Sequence, residues 1–430
     1  MPAREDIVYW GAGPALLPSQ VLETAATSLV NHANSGLGLA EISHRSETAS
    51  NIINEAKADL ATYLDVPDDY EVLLMQGGGT GEFSATAYNL VGTWVTNKRR
   101  EIFGQGSDDK EALSKPAELE KLKTAVDNDL KLDYIITGGW SQKAAAEAAR
   151  LFGEDKVNIV ADSREGNDGK FGTIPDESTW KLSKSAALIY YCDNETVDGV
   201  EFPSFPQSLA PGPDGTGPIV VADMSSNILS RKVEVKNYSI IFFGAQKNLG
   251  SAGITVVVIK KSLLAPQTPQ PSAALMRHLG LPIPPIILQY DIIAKNNSLY
   301  NTLSIFDVFI AGQVLKRLLA TFSDKASGQE AVAKQKADLI YNALDSHPNV
   351  YRVVPHKSVR SRMNICFRVT KGGDVDAVEK EFLKQATALG LTGLKGHRSV
   401  GGIRASNYNS IPLEGAQKLA KFIVDFANAS

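Results

Sequence analysis

The sequence predicts an α/β fold with a mostly parallel sheet, helices on both faces of the sheet, and a smaller α+β domain at the C-terminal end. Short apolar runs alternate with helical patterns or long connections over the first 300 residues or so, as is typical of parallel sheets. At 430 residues the chain is long enough for more than one domain. Its hydrophobic fraction of 43% and charged fraction of 21% indicate an ordinary globular protein.

The apolar runs predict seven strands in the larger domain. We place these strands at residues 70–75, 133–137, 157–161, 187–191, 219–222, 240–243 and 254–259. Helices are expected at residues 18–31, 46–64, 81–91, 140–152, 304–320 and 329–344. The C-terminal part is expected to hold strands at 351–354 and 363–369 and helices at 375–388 and 413–427.

The predicted domains are a large one over residues 16–303 and a small one made of residues 1–15 and 304–430. Glycine and proline make residues 7–15 an irregular arm. Residues 97–131 are highly charged, and we expect a solvated helical insertion there. Residues 262–300 are rich in proline and are expected to be irregular.

Charge and composition exclude several classes of function. A net charge of −4 gives no electrostatic case for binding nucleic acid or an anionic membrane. Two cysteines give no disulfide framework and fit a reducing compartment. We find no signal-peptide core and no apolar run near the ~20 residues of a membrane helix, so a cytoplasmic location is expected. The six histidines show no metal-ligand spacing.

Lys247 lies in a short polar loop between two apolar, strand-like runs. Small and apolar neighbours desolvate a lysine there, which lowers the pKa of the amine and makes it a usable nucleophile. An isolated loop lysine is ordinarily just solvated, but a strand that precedes this loop ends at Asp223. A carboxylate at a strand end and a lysine after the next strand suit a pyridoxal phosphate site.

The glycine-rich turn at residues 76–81 lies between a predicted strand and a predicted helix. Backbone N–H groups in such a turn, aided by the helix dipole, bind phosphate. The turn lacks the Gly-Lys-Ser/Thr ending of a nucleotide-binding P-loop. Alone it predicts no more than a tight turn, but with Lys247 and Asp223 downstream it becomes a candidate cradle for a cofactor phosphate.

The segment from Gly244 to Gly250 resembles the lysine loop of the phosphoserine aminotransferases, a family in the class V group of fold-type I pyridoxal phosphate enzymes. The resemblance extends over nearly the whole chain in the family's order. It includes Ser43-His-Arg45, Gln76-Gly-Gly-Gly-Thr-Gly81, Asn194-Glu-Thr196, Tyr300-Asn-Thr302 and the segment from Lys395 to Ser406. It implies pyridoxal 5'-phosphate as cofactor, a seven-stranded type of sheet and a homodimer with two shared sites.

The resemblance also implies a role for individual cofactor-binding residues. Lys247 is expected to form the Schiff base and then to shuttle a proton, Asp223 to pair with the pyridine nitrogen, and Trp140 to stack on the ring. Gly79 and Thr80, with Gln246 beside them, are expected to bind the phosphate, and Thr196 to lie near the phenolic oxygen. The residues expected to reach the phosphate from a second subunit are Asn301 and Thr302, although Leu303 and Ser304 follow where many relatives have prolines.

Two anion sites are implied for the substrate, and arginine suits both because its planar fork binds oxyanions in pairs. Arg404 is expected to hold the α-carboxylate. The distal anion pocket is expected to comprise His44, Arg45, His397 and Arg398, with one of these pairs crossing the dimer. The implied reaction converts 3-phosphooxypyruvate and L-glutamate to O-phospho-L-serine and 2-oxoglutarate, in serine biosynthesis. A phosphorylated 4-hydroxythreonine analogue is a possible further substrate.

Three alternatives are open from the sequence. An alanine–glyoxylate type of class V aminotransferase would not need two His-Arg pairs, because its substrates lack a distal phosphate. A cysteine desulfurase needs a nucleophilic cysteine on a mobile loop, whereas Cys192 and Cys366 lie in strand-like runs. A binding protein without cofactor is allowed by the fold alone, but the set of Lys247, Asp223 and Trp140 argues against it.

Overall fold

The structure is a computed structural model that describes residues 3–212 and 216–429. Its α-helices are α1 (Ser19–Val30), α2 (Glu47–Leu64), α3 (Gly78–Phe103), α4 (Asp109–Ser114), α5 (Pro116–Asp129), α6 (Gly139–Phe152), α7 (Ala273–His278), α8 (Tyr290–Lys295), α9 (Ile305–Thr321), α10 (Ala326–Asp345), α11 (Val375–Ala388) and α12 (Leu413–Asn428). Its strands are β1 (Val8–Tyr9), β2 (Tyr70–Met75), β3 (Leu132–Ile136), β4 (Val157–Asp162), β5 (Leu188–Cys192), β6 (Asn194–Glu195), β7 (Val200–Glu201), β8 (Val220–Asp223), β9 (Ile240–Gly244), β10 (Thr255–Lys260), β11 (Tyr351–Val353), β12 (Asn364–Val369), β13 (Leu391–Thr392) and β14 (Ile403–Ser406).

The central sheet of the described chain has seven strands in the order β2-β10-β9-β8-β5-β3-β4. Strand β10 runs antiparallel to both β2 and β9, and the other neighbouring pairs are parallel. The prediction of a mostly parallel sheet is confirmed. The predicted strand positions agree with the observed ones to within one residue at each end.

Alternation of side chains along the strands divides the large core between the two faces of the sheet. In β2, Val72 and Leu74 belong to one apolar cluster, whereas Leu73 and Met75 belong to the other. Helices α1, α2 and α9 cover the first face, and α3, α5 and α6 contribute to the second. Because strand side chains alternate with a period of two, a sheet covered on both faces needs continuous apolar runs.

A third apolar cluster lies in the C-terminal part of the chain and includes Trp10 from the N-terminal arm. Strand β1 pairs in parallel with β13, which attaches the arm to this part. Strands β11, β12 and β14 form a three-stranded antiparallel sheet beside α10, α11 and α12. These contacts support a small domain of residues 1–15 and 304–430. Helix α9, which begins that range, packs mainly on α2 in the preceding part of the chain. The division into two domains therefore stays a proposal.

Residues 97–131 differ from the solvated insertion that the sequence predicts. Helix α3 continues past the expected end at residue 91 to Phe103, and Arg99 in its last turns is buried in an ion pair with Asp109. In α5, Leu119 and Leu122 pack in the apolar cluster on the second face of the central sheet. The segment is helical as expected, but it is amphipathic, because its charges lie on one side and its leucines on the other.

The proline-rich segment at residues 262–300 is less irregular than predicted, because α7 and α8 form within it. Ser272 accepts a hydrogen bond from the Leu275 N–H and so caps α7. No helix in the described ranges combines the length and apolar character that spanning a membrane requires.

Candidate active site

The carboxyl ends of β2, β3, β5, β8 and β9 meet at one edge of the central sheet, where open α/β folds bind their ligands. A cavity of about 380 Å³ opens there, a volume within the ordinary range for small-molecule sites. The predicted site residues that line it are Gly79, Thr80, Trp140, Thr196, Asp223, Gln246, Lys247, His397 and Arg404. The structure therefore brings together nine of the residues that the sequence analysis predicted for one site.

Lys247 is buried in the turn that follows β9. Its Nζ donates a hydrogen bond of 2.7 Å to Thr196 Oγ1. Burial lowers the pKa of the Lys247 ammonium, and the nearby Asp223 carboxylate partly opposes that shift. A Cβ atom on Gly13 would lie 3.4 Å from Lys247 Cγ, so the N-terminal arm covers the lysine stem. The result is a desolvated amine at the cavity wall.

Asp223 ends β8 and is also buried. Burial raises the pKa of its carboxyl group, while hydrogen bonds from Ser225 and the charge of Lys247 act in the opposite direction. The Ser225 N–H donates to Asp223 Oδ1 over 2.8 Å, which fixes the carboxylate at the strand end. A buried carboxylate in this place is suited to hold a positively charged ring nitrogen.

The glycine turn leads from β2 into α3. Gly77 and Gly78 have φ values of +118° and +64°, which favour glycine. The Gly78 N–H donates to Thr255 Oγ1 over 2.9 Å, which ties the turn to β10. Gly79 and Thr80 are in the first turn of α3, where backbone N–H groups lack partners inside the helix and favour anions. The turn is therefore a suitable cradle for a phosphate.

Trp140 lies at the start of α6 and is partly buried at the cavity wall. Its indole Nε1 is buried and has no hydrogen-bond partner in the structure. The ammonium of Lys143 lies over the indole ring, 4.4 Å from the ring centroid. An aromatic ring at the cavity edge fits the predicted stacking on a planar cofactor, although it is equally a common core feature.

Arg404 and His397 come from the C-terminal part of the chain and face the same cavity. Arg404 Nη1 donates to the Thr196 carbonyl oxygen over 3.2 Å, which leaves most of its donors for a ligand. Partial burial lowers the pKa of the His397 imidazole, as do the positive charges of Arg404, Lys143 and Arg398. The side of the cavity formed by Arg404 and His397 is therefore positively charged, and it adjoins the side that holds Lys247.

Five predicted site residues lie outside the lining of this cavity. Arg45 and Arg398 are exposed, and His44 is half-buried. Asn301 and Thr302 are exposed and contact Gln76: the Asn301 amide donates to the Gln76 side chain, which in turn donates to the Thr302 carbonyl oxygen. A single chain does not bring these residues to Lys247, so the roles assigned to them stay predictions.

Sequence reasoning missed Ala12, Gly13, Cys192, Val197, Ser225 and Ser226 as residues of the cavity wall, and it placed Gly78 and Asn194 in site motifs without giving them individual roles. The glycine–proline arm at residues 11–14 was the signal for Gly13, since irregular backbone often marks a close approach to another segment. Cys192 lines the cavity, but its thiol is buried, and burial raises the pKa of the thiol well above its usual value. This is opposite to what a nucleophilic cysteine needs.

The donor set fits pyridoxal phosphate and offers little to a metal. A desolvated lysine, a buried carboxylate, an unpartnered indole and a helix N-terminus surround one cavity. These groups match, in turn, the aldehyde, ring nitrogen, ring face and phosphate of the cofactor. Within residues 3–212 and 216–429, no group of three or more His, Cys, Asp or Glu side chains could hold a metal ion.

Comparison with known proteins agrees with this geometry. The family described as aminotransferase class-V matches residues 7–133 and 117–419. The chain belongs to the class-V aminotransferase family, whose cofactor is pyridoxal phosphate. Within it, the chain is 41% identical over 427 residues to the phosphoserine aminotransferase of Saccharomyces cerevisiae, covering 99% of this chain and 98% of that protein.

Solved structures distinguish the subfamily from the general fold. The chain is similar to pyridoxal phosphate-bound phosphoserine aminotransferase from Trichomonas vaginalis, with a TM-score of 0.78, 33% identity, and coverage of 97% of this chain and 99% of that chain. An alanine–glyoxylate aminotransferase from Nostoc has a TM-score of 0.61 and 13% identity, covering 99% of this chain and 96% of that chain. The second likeness shows the shared fold alone.

Proposed function

We propose that this protein transfers the amino group of L-glutamate to 3-phosphooxypyruvate, which yields O-phospho-L-serine and 2-oxoglutarate, the phosphoserine aminotransferase reaction of serine biosynthesis. The observation that carries the proposal is the meeting of Lys247, Asp223 and Arg404 at one cavity. A nucleophilic amine, a ring-nitrogen partner and a carboxylate-binding arginine together suit pyridoxal phosphate chemistry on an amino acid, and the class-V aminotransferase family of the chain supports amino-group transfer as the reaction. Two relatives that are 41% and 40% identical to this chain are named phosphoserine aminotransferase, which supports this assignment.

The part of the site that would hold pyridoxal phosphate, called here the cofactor half, comprises Gly79, Thr80, Trp140, Thr196, Asp223, Gln246 and Lys247. Gly79 and Thr80 would bind the phosphate through backbone N–H groups. Asp223 would keep the ring nitrogen of the bound cofactor protonated, and Trp140 would pack on the ring face. When bound, the cofactor supplies an electron sink for the bonds at the substrate Cα. Because its pKa is lowered, Lys247 is able to take a proton from that carbon and return it.

The part that would hold the substrate, called here the substrate half, comprises Arg404, His397, Arg398, His44 and Arg45. Arg404 binds the α-carboxylate through its planar fork. His397 lines the cavity of its own chain, and the adjacent Arg398, which is exposed, is assigned to the distal phosphate beside it. Since His44 and Arg45 lie outside the cavity of their own chain, we assign them to the site of a second copy. Two His-Arg pairs then surround a distal anion that alanine does not possess.

This assignment makes the working unit a homodimer with two shared sites. Asn301 and Thr302 are exposed in the single chain and are assigned to the phosphate of the second site, as in the resembled family. We also propose a cytoplasmic location, because both cysteines are free buried thiols, as is usual in a reducing compartment.

A spectral titration of the holoenzyme tests the function. O-phospho-L-serine is expected to abolish the cofactor absorption band near the visible edge, and 3-phosphooxypyruvate or 2-oxoglutarate to restore it. L-alanine is the matched control and is expected to leave the band unchanged at the same concentration. An equal response to L-alanine would move the protein to the alanine–glyoxylate type, and the lack of any such band after addition of cofactor would overturn the enzyme assignment.

A further inference from the structure

The N-terminus of α6, where Trp140 lies, is held by the side chain of Glu195. Glu195 Oε2 accepts a hydrogen bond from the Trp140 N–H over 2.9 Å. Glu195 Oε1 accepts from the Ser141 N–H over 2.9 Å and from the Ser141 hydroxyl over 2.6 Å. One carboxylate thus satisfies two of the N–H groups that a helix start leaves without partners.

The fit between Glu195 and α6 is close. Glu195 is completely buried, and a Cβ atom on Gly138 would lie 2.4 Å from Glu195 Cδ. The carboxylate therefore occupies the space that a side chain at residue 138 would need. Asp198 adds a second contact of the same kind, because its Oδ2 accepts from the Gly139 N–H over 3.1 Å. The first turn of α6 is fixed by two carboxylates from a single segment.

That segment is the hairpin of β6 and β7, and its other residues hold the rest of the site. Thr196 accepts a hydrogen bond from Lys247 through its hydroxyl and one from Arg404 through its carbonyl. The Asn194 amide donates to Ser226 Oγ over 2.6 Å, in the loop that follows Asp223. Three consecutive residues, Asn194 to Thr196, thus contact four parts of the cavity wall. These parts are Lys247, Arg404, the N-terminus of α6 at Trp140, and the loop that follows Asp223.

We propose that Glu195 is a positioning residue: it holds the N-terminus of α6 and so fixes the Trp140 indole where the cofactor ring would lie. The hairpin of β6 and β7 then orients both Trp140, through Glu195, and Lys247, through Thr196. The proposal deepens the proposed function and depends on the role assigned there to Trp140. Glu195 itself is not among the residues that line the cavity. Its effect passes through the backbone of Trp140 and Ser141 to the indole ring.

The positioning depends on the ionised form of Glu195, because a protonated carboxyl loses acceptor capacity toward its three donors. Burial raises the pKa of Glu195 to about 7, whereas the Ser141 hydrogen bonds act to lower that pKa. Other titratable groups face it. Asp198 on the same hairpin raises its pKa, and Tyr190, Cys192 and Lys247 are the further groups close enough to interact with it.

Glu195→Gln tests the inference, because glutamine keeps the shape but has one acceptor oxygen in place of two. The first readout is the tryptophan fluorescence of cofactor-free protein, taken as a difference from Trp140→Ala so that the other three tryptophans cancel. We expect the Trp140 signal to change, and the Kd for pyridoxal phosphate to rise about tenfold, as for one lost hydrogen bond to a charged group. Asp374→Asn, which alters the cap of α11 far from the cavity, is the matched control and is expected to change neither.

A double-mutant cycle separates positioning from general destabilisation. If Glu195 acts through the indole, Glu195→Gln should have little further effect on cofactor affinity in a Trp140→Ala background. Equal effects in both backgrounds, or an unchanged Trp140 fluorescence, would overturn the proposal. If Trp140→Ala leaves cofactor affinity unchanged, the role of Trp140 in the proposed function is wrong instead, which keeps the two failures distinct.

The wild-type protein offers a second measurement that does not depend on a variant of Glu195. The Trp140-dependent fluorescence of cofactor-free protein is expected to titrate with a midpoint near the pKa of about 7 that burial imposes on Glu195. The ionised, ordered form should dominate above that pH. A signal that shows a less ordered indole above this midpoint than below it would contradict the inference.

Discussion

The cofactor half and the substrate half of the site differ in how complete they are within one chain. Lys247, Asp223 and Thr196 are buried and lie at the ends of neighbouring strands, within reach of one another. Of the substrate half, Arg404 and His397 face the cavity, whereas Arg45 and Arg398 are exposed. The comparison teaches that the cofactor half is built into the edge of the central sheet, whereas the residues assigned to the substrate half lie partly on exposed loops, where the proposed second copy would complete the site.

The largest effect is expected from the cofactor half. Lys247→Ala should lower kcat by about 10³-fold or more, because Lys247 is the only lysine among the described residues that line the cavity. The far-ultraviolet circular dichroism and the oligomeric state should stay as in the wild type, since Lys247 makes a single side-chain hydrogen bond. Transamination within tenfold of the wild-type rate would contradict the assignment of Lys247.

A smaller and more selective effect is expected from the substrate half. Arg398→Ala should reduce kcat/KM for O-phospho-L-serine by about 10- to 100-fold, since a charged hydrogen bond contributes roughly 1.5–3 kcal/mol. The half-reaction with L-glutamate should suffer less, because its distal group is a carboxylate with one charge. Lys395→Ala changes an exposed cation in the same loop and serves as the control. Equal losses for both variants would remove Arg398 from the distal pocket.

Thr196 connects the two halves, because it contacts both Lys247 and Arg404. Thr196→Val keeps the shape and the backbone carbonyl but removes the hydroxyl that accepts from Lys247. We expect kcat to fall about tenfold, as for one hydrogen bond to a charged group, while Thr196→Ser restores most of it. If valine and serine variants behave alike, the hydroxyl does not position Lys247.

Much of the cofactor half could be predicted from the sequence, because each of its residues follows an apolar run that reads as a strand. Carboxyl ends of parallel strands share one sheet edge, so local patterns placed Asp223 and Lys247 together. The contact of Glu195 with α6 could not be predicted in this way, since it is a side-chain hydrogen bond to a helix N-terminus that no local sequence pattern marks. The length of α3 was missed because the charges near Arg99 read as solvated, whereas Arg99 is buried against Asp109.

The smallest effect on activity is expected from substitution of Lys336, a second buried lysine that lies outside the cavity. Burial alone therefore does not place a lysine in the site. Lys336 Nζ donates to the carbonyl oxygens of Tyr408 and Ile411, and burial lowers its pKa to about 7. An unfolded lysine has a pKa near 10.4, so the unfolded state binds more protons between these values and stability rises with pH there. The gain is at most about 1.4 kcal/mol per pH unit.

Urea unfolding of the wild type and Lys336→Met at several pH values checks this contribution. The difference between their free energies of unfolding should change in favour of the wild type as pH rises from about 7 to about 10. Turnover should stay near the wild-type value, because Lys336 lies outside the cavity. A difference that is independent of pH would show that Lys336 is charged in the folded protein.

The division of the site between two chains is tested most directly with mixed dimers. Differently tagged Lys247→Ala and Arg45→Ala chains are produced together, and the dimers that carry both tags are isolated. If Arg45 acts in the site of the second copy, each mixed dimer retains one intact site and about half the wild-type activity, although both parent dimers are nearly inactive. Mixed dimers as inactive as the parents would place Arg45 in the site of its own chain and contradict the shared substrate half.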